Sequence, residues 1–159
     1  MAGTPEITPE LAQRVAEAVR DAMWKDDHAS KRLMGMQILA VGPGTAQLRM
    51  TVREDMLNGH AICHGGLITT LADSTFAFAC NAYNELTVAS GFDVNIIASA
   101  RLGDVLTATA TEVAKTRRTG VYDIDVRDQN GKRIAAFRGR SMTLVGKPVV
   151  PDLPSTRGA

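Results

Sequence analysis

Residues Gly65–Asn84 read GGLITTLADSTFAFACNAYN. This stretch carries one charge, Asp73, and no proline. Its length and its Ala, Leu and Phe content predict a helix. Apolar residues occupy every side of that helix, so it lacks the polar face a surface helix would show to water. It must be covered all round. The economical cover is a curved antiparallel sheet wrapped around it, giving an α+β fold.

The flanking sequence supplies the strands. Downstream, Thr87–Ala98 is rich in Val, Ile and Phe. Asp104–Lys115 alternates Thr107, Thr109 and Thr111 with apolar neighbours, and Gly120–Arg127 alternates again. Asn130-Gly131 is a hairpin signal, and Lys132–Val145 returns as the last strand. Upstream, Leu33–Val41 and Thr45–Arg53 read as strands joined at Gly42-Pro43-Gly44. Ahead of these, Thr8 and Pro9 open a first helix with apolar residues at Leu11, Val15, Ala18, Val19 and Ala22, ending near Asp26-Asp27-His28. The expected division is an N-terminal helical extension (1–32), a central domain (33–145) and a flexible tail rich in Pro, Gly and Ser (146–159).

The chain is 159 residues long, one domain's worth, with 45% hydrophobic and 22% charged residues. Lys+Arg is 18 against Asp+Glu 17, a net charge of +1, which argues against a nucleic-acid binder. No apolar run approaches the ~20 residues that span a bilayer. Met1–Glu10 lacks the basic and apolar regions of a secretory signal. Two cysteines, Cys63 and Cys80, make no disulfide framework, and a cytoplasmic location is expected.

Asp73 is the chemical outlier. Its helical-wheel neighbours are Gly66, Thr69, Thr70, Phe76, Ala77 and Cys80, none of them charged. Burial on such a face raises a carboxyl pKa and suits a general base. The bland alternative is an Asp hydrogen-bonded to Thr69, Thr70 or a neighbouring chain. Gly65-Gly66 at the helix start offers free N–H groups for an oxyanion. His60, Cys63 and His64 lack the further ligands of a metal site, so no metal and no cofactor are expected. Gly65 and Asp73 sit eight residues apart, ~12 Å along one helix. One helix therefore cannot present both to one reacting group. Either one of them is idle, or two chains combine across a symmetric interface. Lys115, Arg117 and Arg118, with Arg138 and Arg140 on one side of the last strand, are candidate phosphate contacts or a solvated edge.

The motifs Asn58-Gly59-His60, Cys63-His64-Gly65-Gly66, Leu71-Ala72-Asp73, Phe76–Asn81 and Thr119–Asp123 resemble the hotdog-fold acyl-CoA thioesterases, in particular the phenylacetate-degradation branch. Val88-Ala89-Ser90, Gly103-Asp104 and Phe137-Arg138-Gly139 also fit. The resemblance covers about half of the chain, Asn58 to Ser141. It implies a hotdog fold and hydrolysis of an acyl-CoA to free acid and CoA. The implied substrate is phenylacetyl-CoA or a hydroxylated derivative. It also implies a homo-oligomer, dimers paired into a tetramer, with each site at a dimer interface. Asp73 would be the general base or the nucleophile, Gly65 N–H would polarise the thioester, Asn58 would place water or substrate, and His64 would support the loop. Ser90 stands near a position where some relatives hold water. Arg117, Arg118, Gly120 and Arg138 are the candidate CoA contacts. Rival readings are a medium-chain thioesterase, a hotdog enoyl-CoA hydratase or dehydratase, and a non-catalytic acyl-CoA-binding module. With aromatics at 4% of the chain, Phe76, Phe78 and Tyr122 are candidate walls of an acyl pocket.

Overall fold

The computed structural model describes residues 6–157; residues 1–5 and 158–159, parts of the expected extension and tail, lie outside it. Helix α1 spans Pro9–Asp26, and α2 spans Gly65–Asn81. Six strands follow the chain as β1 (Gln37–Gly42), β2 (Thr45–Thr51), β3 (Thr87–Ile96), β4 (Val105–Lys115), β5 (Thr119–Arg127) and β6 (Arg133–Thr143). They form one antiparallel sheet in the order β1-β2-β4-β5-β6-β3. Helix α2 touches every one of them.

The expected cover of α2 is met on most of its surface but not all round: the stripe Gly66, Thr69, Thr70, Asp73, Ser74 and Ala77 is left partly exposed in the single chain. Leu71, Ala72, Phe76, Ala79 and Cys80 are buried, and the cover comes from the inward residues of the strands. Leu48 and Met50 on β2, Tyr122, Ile124 and Val126 on β5, and Phe137 on β6 supply bulk. On β4 the inward residues between them are Ala108 and Ala110, which pair with Leu48 and Ala46 and with Val126 and Ile124. Small residues on a central strand let the helix lie close to the sheet. At Gly139 the approach is closest, because Phe76 occupies the space a side chain would take.

Turn chemistry fixes the register. Pro43 and Gly44 form the two-residue link between β1 and β2, with Gly44 at φ 68°. Asn130-Gly131 is not a two-residue hairpin. It lies in a five-residue loop, 128–132, whose Asp128 carboxylate accepts from the N–H groups of Asn130 and Lys132.

Three sequence expectations need correction. The first strand does not begin at Leu33. Ala29–Leu33 is a π-helical turn, and the strand starts at Gln37. Gly35 takes φ 62°, and the Arg53 guanidinium donates to the carbonyls of Leu33 and Met34, holding the turn from twenty residues away. The core-facing stripe of α1 is Ala12, Val15, Ala16 and Val19, continuing to Met23; Ala22 faces solvent. The tail, expected to be flexible, is held over its described part. Buried Asn84 donates to the carbonyls of Val150 and Leu153 and accepts from Val150 N–H. Thr156 N–H donates to the Tyr83 carbonyl, and Arg157 pairs with Glu85.

Candidate active site

The loop before α2 is pinned at several points. Leu57 bridges to Cys63, Asn58 N–H donates to Ile62 O, and Ala61 takes φ 56°. Cys63 N–H reaches Ala100 O, and His64 N–H reaches Met56 O. Asn58 Oδ1 accepts from His60 N–H at 2.9 Å, which orients the side-chain amide. His64 caps the helix: its Nδ1 accepts from Gly66 N–H at 3.2 Å. One orphan donor of the helix start is thereby satisfied. The Gly65 N–H has no acceptor among the described residues. Asn58, His64 and Gly65 thus gather at one end of α2. Gly65 lies against Ile96, whose Cγ1 would be 3.6 Å from a Cβ placed there.

Asp73 lies two turns further on and half-buried. It opens into a cavity of about 300 Å³ together with Phe76, Cys80, Thr87, Val88 and Ala89. Burial pushes its carboxyl above the usual carboxylate range, with no neighbouring charge contributing. The bland alternative fails within the chain. The hydroxyls of Thr69 and Thr70 donate back to the carbonyls of Gly65 and Gly66, so neither holds the carboxylate. No other described residue bonds it. A half-buried carboxylate with no partner is chemically available as base or nucleophile.

The remaining candidates divide. Arg117 and Arg118 are exposed in the β4–β5 turn, and Arg118 O accepts from Thr143 N–H. Thr143 pairs with Thr87, so this turn lies at the Asp73 end of β3. Arg138 lies on the sheet face turned away from α2, where Asp123 takes its guanidinium in two bonds of 2.6 and 2.7 Å. Gly120 is buried; a Cβ there would meet Ser141 Oγ at 2.7 Å, so packing accounts for this glycine. Ser90 sits in a bulge of β3 with its hydroxyl on Arg140 O, and its neighbour Ala89 lines the cavity instead. Of the three aromatics, Phe76 is a cavity wall. Phe78 packs on Trp24, and Tyr122 is wholly buried with its hydroxyl on Glu112. Met23, Leu86 and Val149 also line the cavity and escaped the sequence reading. Met23 continues the apolar stripe of α1 at i+4 from Val19, which was a readable signal; Val149 carried none.

A larger groove of about 890 Å³ lies on the outer sheet face. Its acids are all engaged: Asp123 with Arg138, Asp125 with Arg127 and Arg133, Asp93 with Arg140, and Asp128 with the N–H groups of its own turn. It lacks the unpartnered group that marks the Asp73 cavity.

A long helix wrapped by a six-stranded antiparallel sheet, with a lone acid on the helix, defines the hotdog class. The thioesterase superfamily model matches residues 60–135. The chain is 42% identical to acyl-coenzyme A thioesterase PaaI of Escherichia coli over 125 residues, 79% of this chain and 89% of that one. The chain belongs to the thioesterase superfamily. The solved structure of the E. coli PaaI protein from the phenylacetic acid degradation operon superposes with a TM-score of 0.83 at 39% identity, covering 86% of this chain and 98% of that one. A mutant structure of phenylacetic acid degradation protein PaaI from Thermus thermophilus matches at 0.69 and 34% identity, covering 72% of this chain and 97% of that one.

Proposed function

We propose that this protein hydrolyses an aromatic acyl-CoA, phenylacetyl-CoA or a hydroxylated derivative, to the free acid and CoA. The observation that carries the reading is the unpartnered Asp73 carboxylate opening into an apolar cavity, in a chain similar to an acyl-CoA thioesterase. Asp73 activates water or attacks the thioester carbon itself. In the first route the thiolate of CoA leaves directly. In the second the Asp73 oxygen bonds to the acyl carbon as the C–S bond breaks and the CoA thiolate leaves, and water then cleaves the resulting anhydride to the free acid and Asp73. The Gly65 N–H and the positive end of α2 stabilise the oxyanion. Asn58 places water or substrate beside it, and His64 keeps the loop in register by its cap. Arg117 and Arg118 meet the CoA phosphates.

The site is read as belonging to two chains. Strand β3 is one of the two sheet edges, and Val88, Phe92, Ile96 and Ile97 are 47%, 42%, 45% and 55% exposed. A long apolar edge is an aggregation hazard unless something pairs with it. Asp73 lies at the Val88 end of this strand and Gly65 at the Ile96 end. Two copies of β3 running antiparallel about a two-fold axis at Phe92 set Val88 of each opposite Ile96 of the other. Asp73 of one protomer then approaches Gly65 of its partner, which resolves the ~12 Å separation along one helix. Dimers pair into a tetramer. The two free cysteines suit a reducing compartment, the cytoplasm.

Thiol release from a panel of CoA esters tests the reading. Wild type should favour phenylacetyl-CoA, and Asp73→Asn should lose turnover. Unchanged turnover in Asp73→Asn removes it from the mechanism. Single turnover in ¹⁸O-water tests the covalent route, because label in the Asp73 carboxylate shows that it acted as the nucleophile. An enoyl-CoA hydratase would hydrate without releasing thiol, and a binding module would hold the ester intact.

A further inference from the structure

The Asp73 cavity is lined by two residues from outside the α2-to-β6 span of the chain. Met23 comes from the last turns of α1, and Val149 from the tail beyond β6. Both lie outside the residues matched by the superfamily model. We propose that Met23 and Val149 form the end wall of the acyl site, and that the tail, clamped by Asn84, sets the size of acyl group accepted. The inference rests on the thioesterase reading above and adds to it a determinant of specificity.

The polar inventory of the cavity shows why a wall would act by shape. Besides Asp73, its polar side chains are Asn81 and Thr87. Asn81 is spent on its surroundings: its amide donates to Ala77 O and Thr87 O, and its oxygen accepts from Thr87 N–H. The Thr87 hydroxyl donates to Glu85 O. No polar group remains to read the far end of an acyl chain, so discrimination there comes from apolar fit. One methylene more or less in an apolar pocket changes specificity by roughly 10- to 200-fold.

Val149 is positioned from both sides. Leu86 N–H donates to Lys147 O at 2.8 Å, and the next anchored residue, Val150, exchanges two bonds with the Asn84 side chain, 2.8 and 3.0 Å. The same amide donates to Leu153 O at 2.8 Å. Asn84 takes φ 60° and is 1% exposed, so the clamp is buried and built into the turn after α2. Asn84 is a positioning residue. It acts on the acyl group only through Val149.

The test is the kcat/KM profile over acetyl-, butanoyl-, hexanoyl-, octanoyl- and phenylacetyl-CoA for wild type and four variants. Val149→Ala and Met23→Ala each enlarge the pocket, and the octanoyl-to-butanoyl ratio should rise about tenfold. Val149→Phe should lower that ratio. Asn84→Gly tolerates the positive φ, removes the clamp, and should move the profile in the same direction as Val149→Ala. A purely structural role for Asn84 would lower the melting midpoint and leave the profile in place. Thiol release by wild type with profiles unchanged in both Val149 variants and in Met23→Ala overturns the wall and leaves the thioesterase reading standing. No thiol release by wild type from any ester overturns the thioesterase reading, and the wall with it.

Discussion

Gly139→Ala ties the fold to the site through one methyl group. A Cβ at Gly139 would lie 2.9 Å from Phe76 Cδ2 and Cε2 and 3.0 Å from Cδ1. Carbon atoms in comfortable contact stand about 3.5–4.0 Å apart, so the ring must retreat by roughly 0.5–1 Å. Phe76 is 1% exposed and boxed in by Tyr122 and Phe137 at centroid distances of 5.5 and 6.1 Å. Its remaining open side is the Asp73 cavity. Overpacking of this kind costs about 1–3 kcal/mol. Gly139 does not hold a positive φ, so alanine also gains ~0.4–1 kcal/mol from a stiffer unfolded chain. The packing term wins. For a chain of this length each kcal/mol lowers the melting midpoint by about 2–4 °C, so a drop of roughly 2–10 °C is expected by calorimetry. The displaced ring should shrink the cavity, and turnover of the bulkiest esters should fall first. Phe76→Leu in the same chain relieves the clash, so the double variant should exceed the additive expectation by about 0.5–3 kcal/mol. A Gly139→Ala protein melting with wild type, and additive with Phe76→Leu, would refute the reasoning.

Other predictions follow from the same geometry. Asp73→Asn should cut kcat by about 100-fold or more without lowering the melting midpoint at pH 7. A carboxyl whose folded pKa is raised contributes its stability below the unfolded value and loses it as pH rises through the folded one, so at neutral pH the ionised group is a cost that Asn removes. By the same shift, wild-type kcat/KM should fall on the acid side at a pH above that of a free Asp; a lower midpoint for Asp73→Asn at pH 7 would make the carboxylate structural. Phe92→Asp places two carboxylates face to face on the proposed axis, and sedimentation should find monomers without thiol release; an intact assembly would break the β3 pairing. Burial pushes the Cys80 thiol up to about 12 and raises Cys63 as well, so a colorimetric thiol reagent at pH 8 should label neither in the native protein and both after denaturation. Rapid native labelling would contradict the burial.

The legible part of the structure was the part decided locally. A segment this apolar with one charge reads as a helix against the core, so α2 and the singularity of Asp73 were legible from composition; the partly exposed stripe that carries Asp73 was not. Strand order was not. The chain leaves α2 into β3, which crosses to the far edge beside β6, a choice made by the packed sheet and not by any strand's own sequence. Arg138 looked free because its partner Asp123 is adjacent only through the β5–β6 register. The run at Leu33–Val41 looked like one strand because its apolar content hides an Arg53 clamp arriving from the end of β2. The tail looked loose because its composition is that of a linker, while the side chains that hold it, Asn84 and Glu85, lie more than sixty residues earlier.

An unpartnered carboxylate keeps its raised pKa only if cations are kept away from it, and the C-terminal end of α2 has two close at hand. Lys115 and Arg157 both converge on Glu85, at 4.0 and 3.2 Å. Lys115 is further held over the Tyr83 ring, 3.7 Å from its centre, and burial pulls its own pKa down. The nearby Glu112 carboxylate is occupied by the hydroxyls of Tyr83 and Tyr122. Glu85, Lys115 and Arg157 thus form a cluster that also carries the tail, and burial alone raises the Asp73 pKa. The same cluster fastens the tail, because Glu85 anchors Arg157, and none of its charged side chains lines the Asp73 cavity.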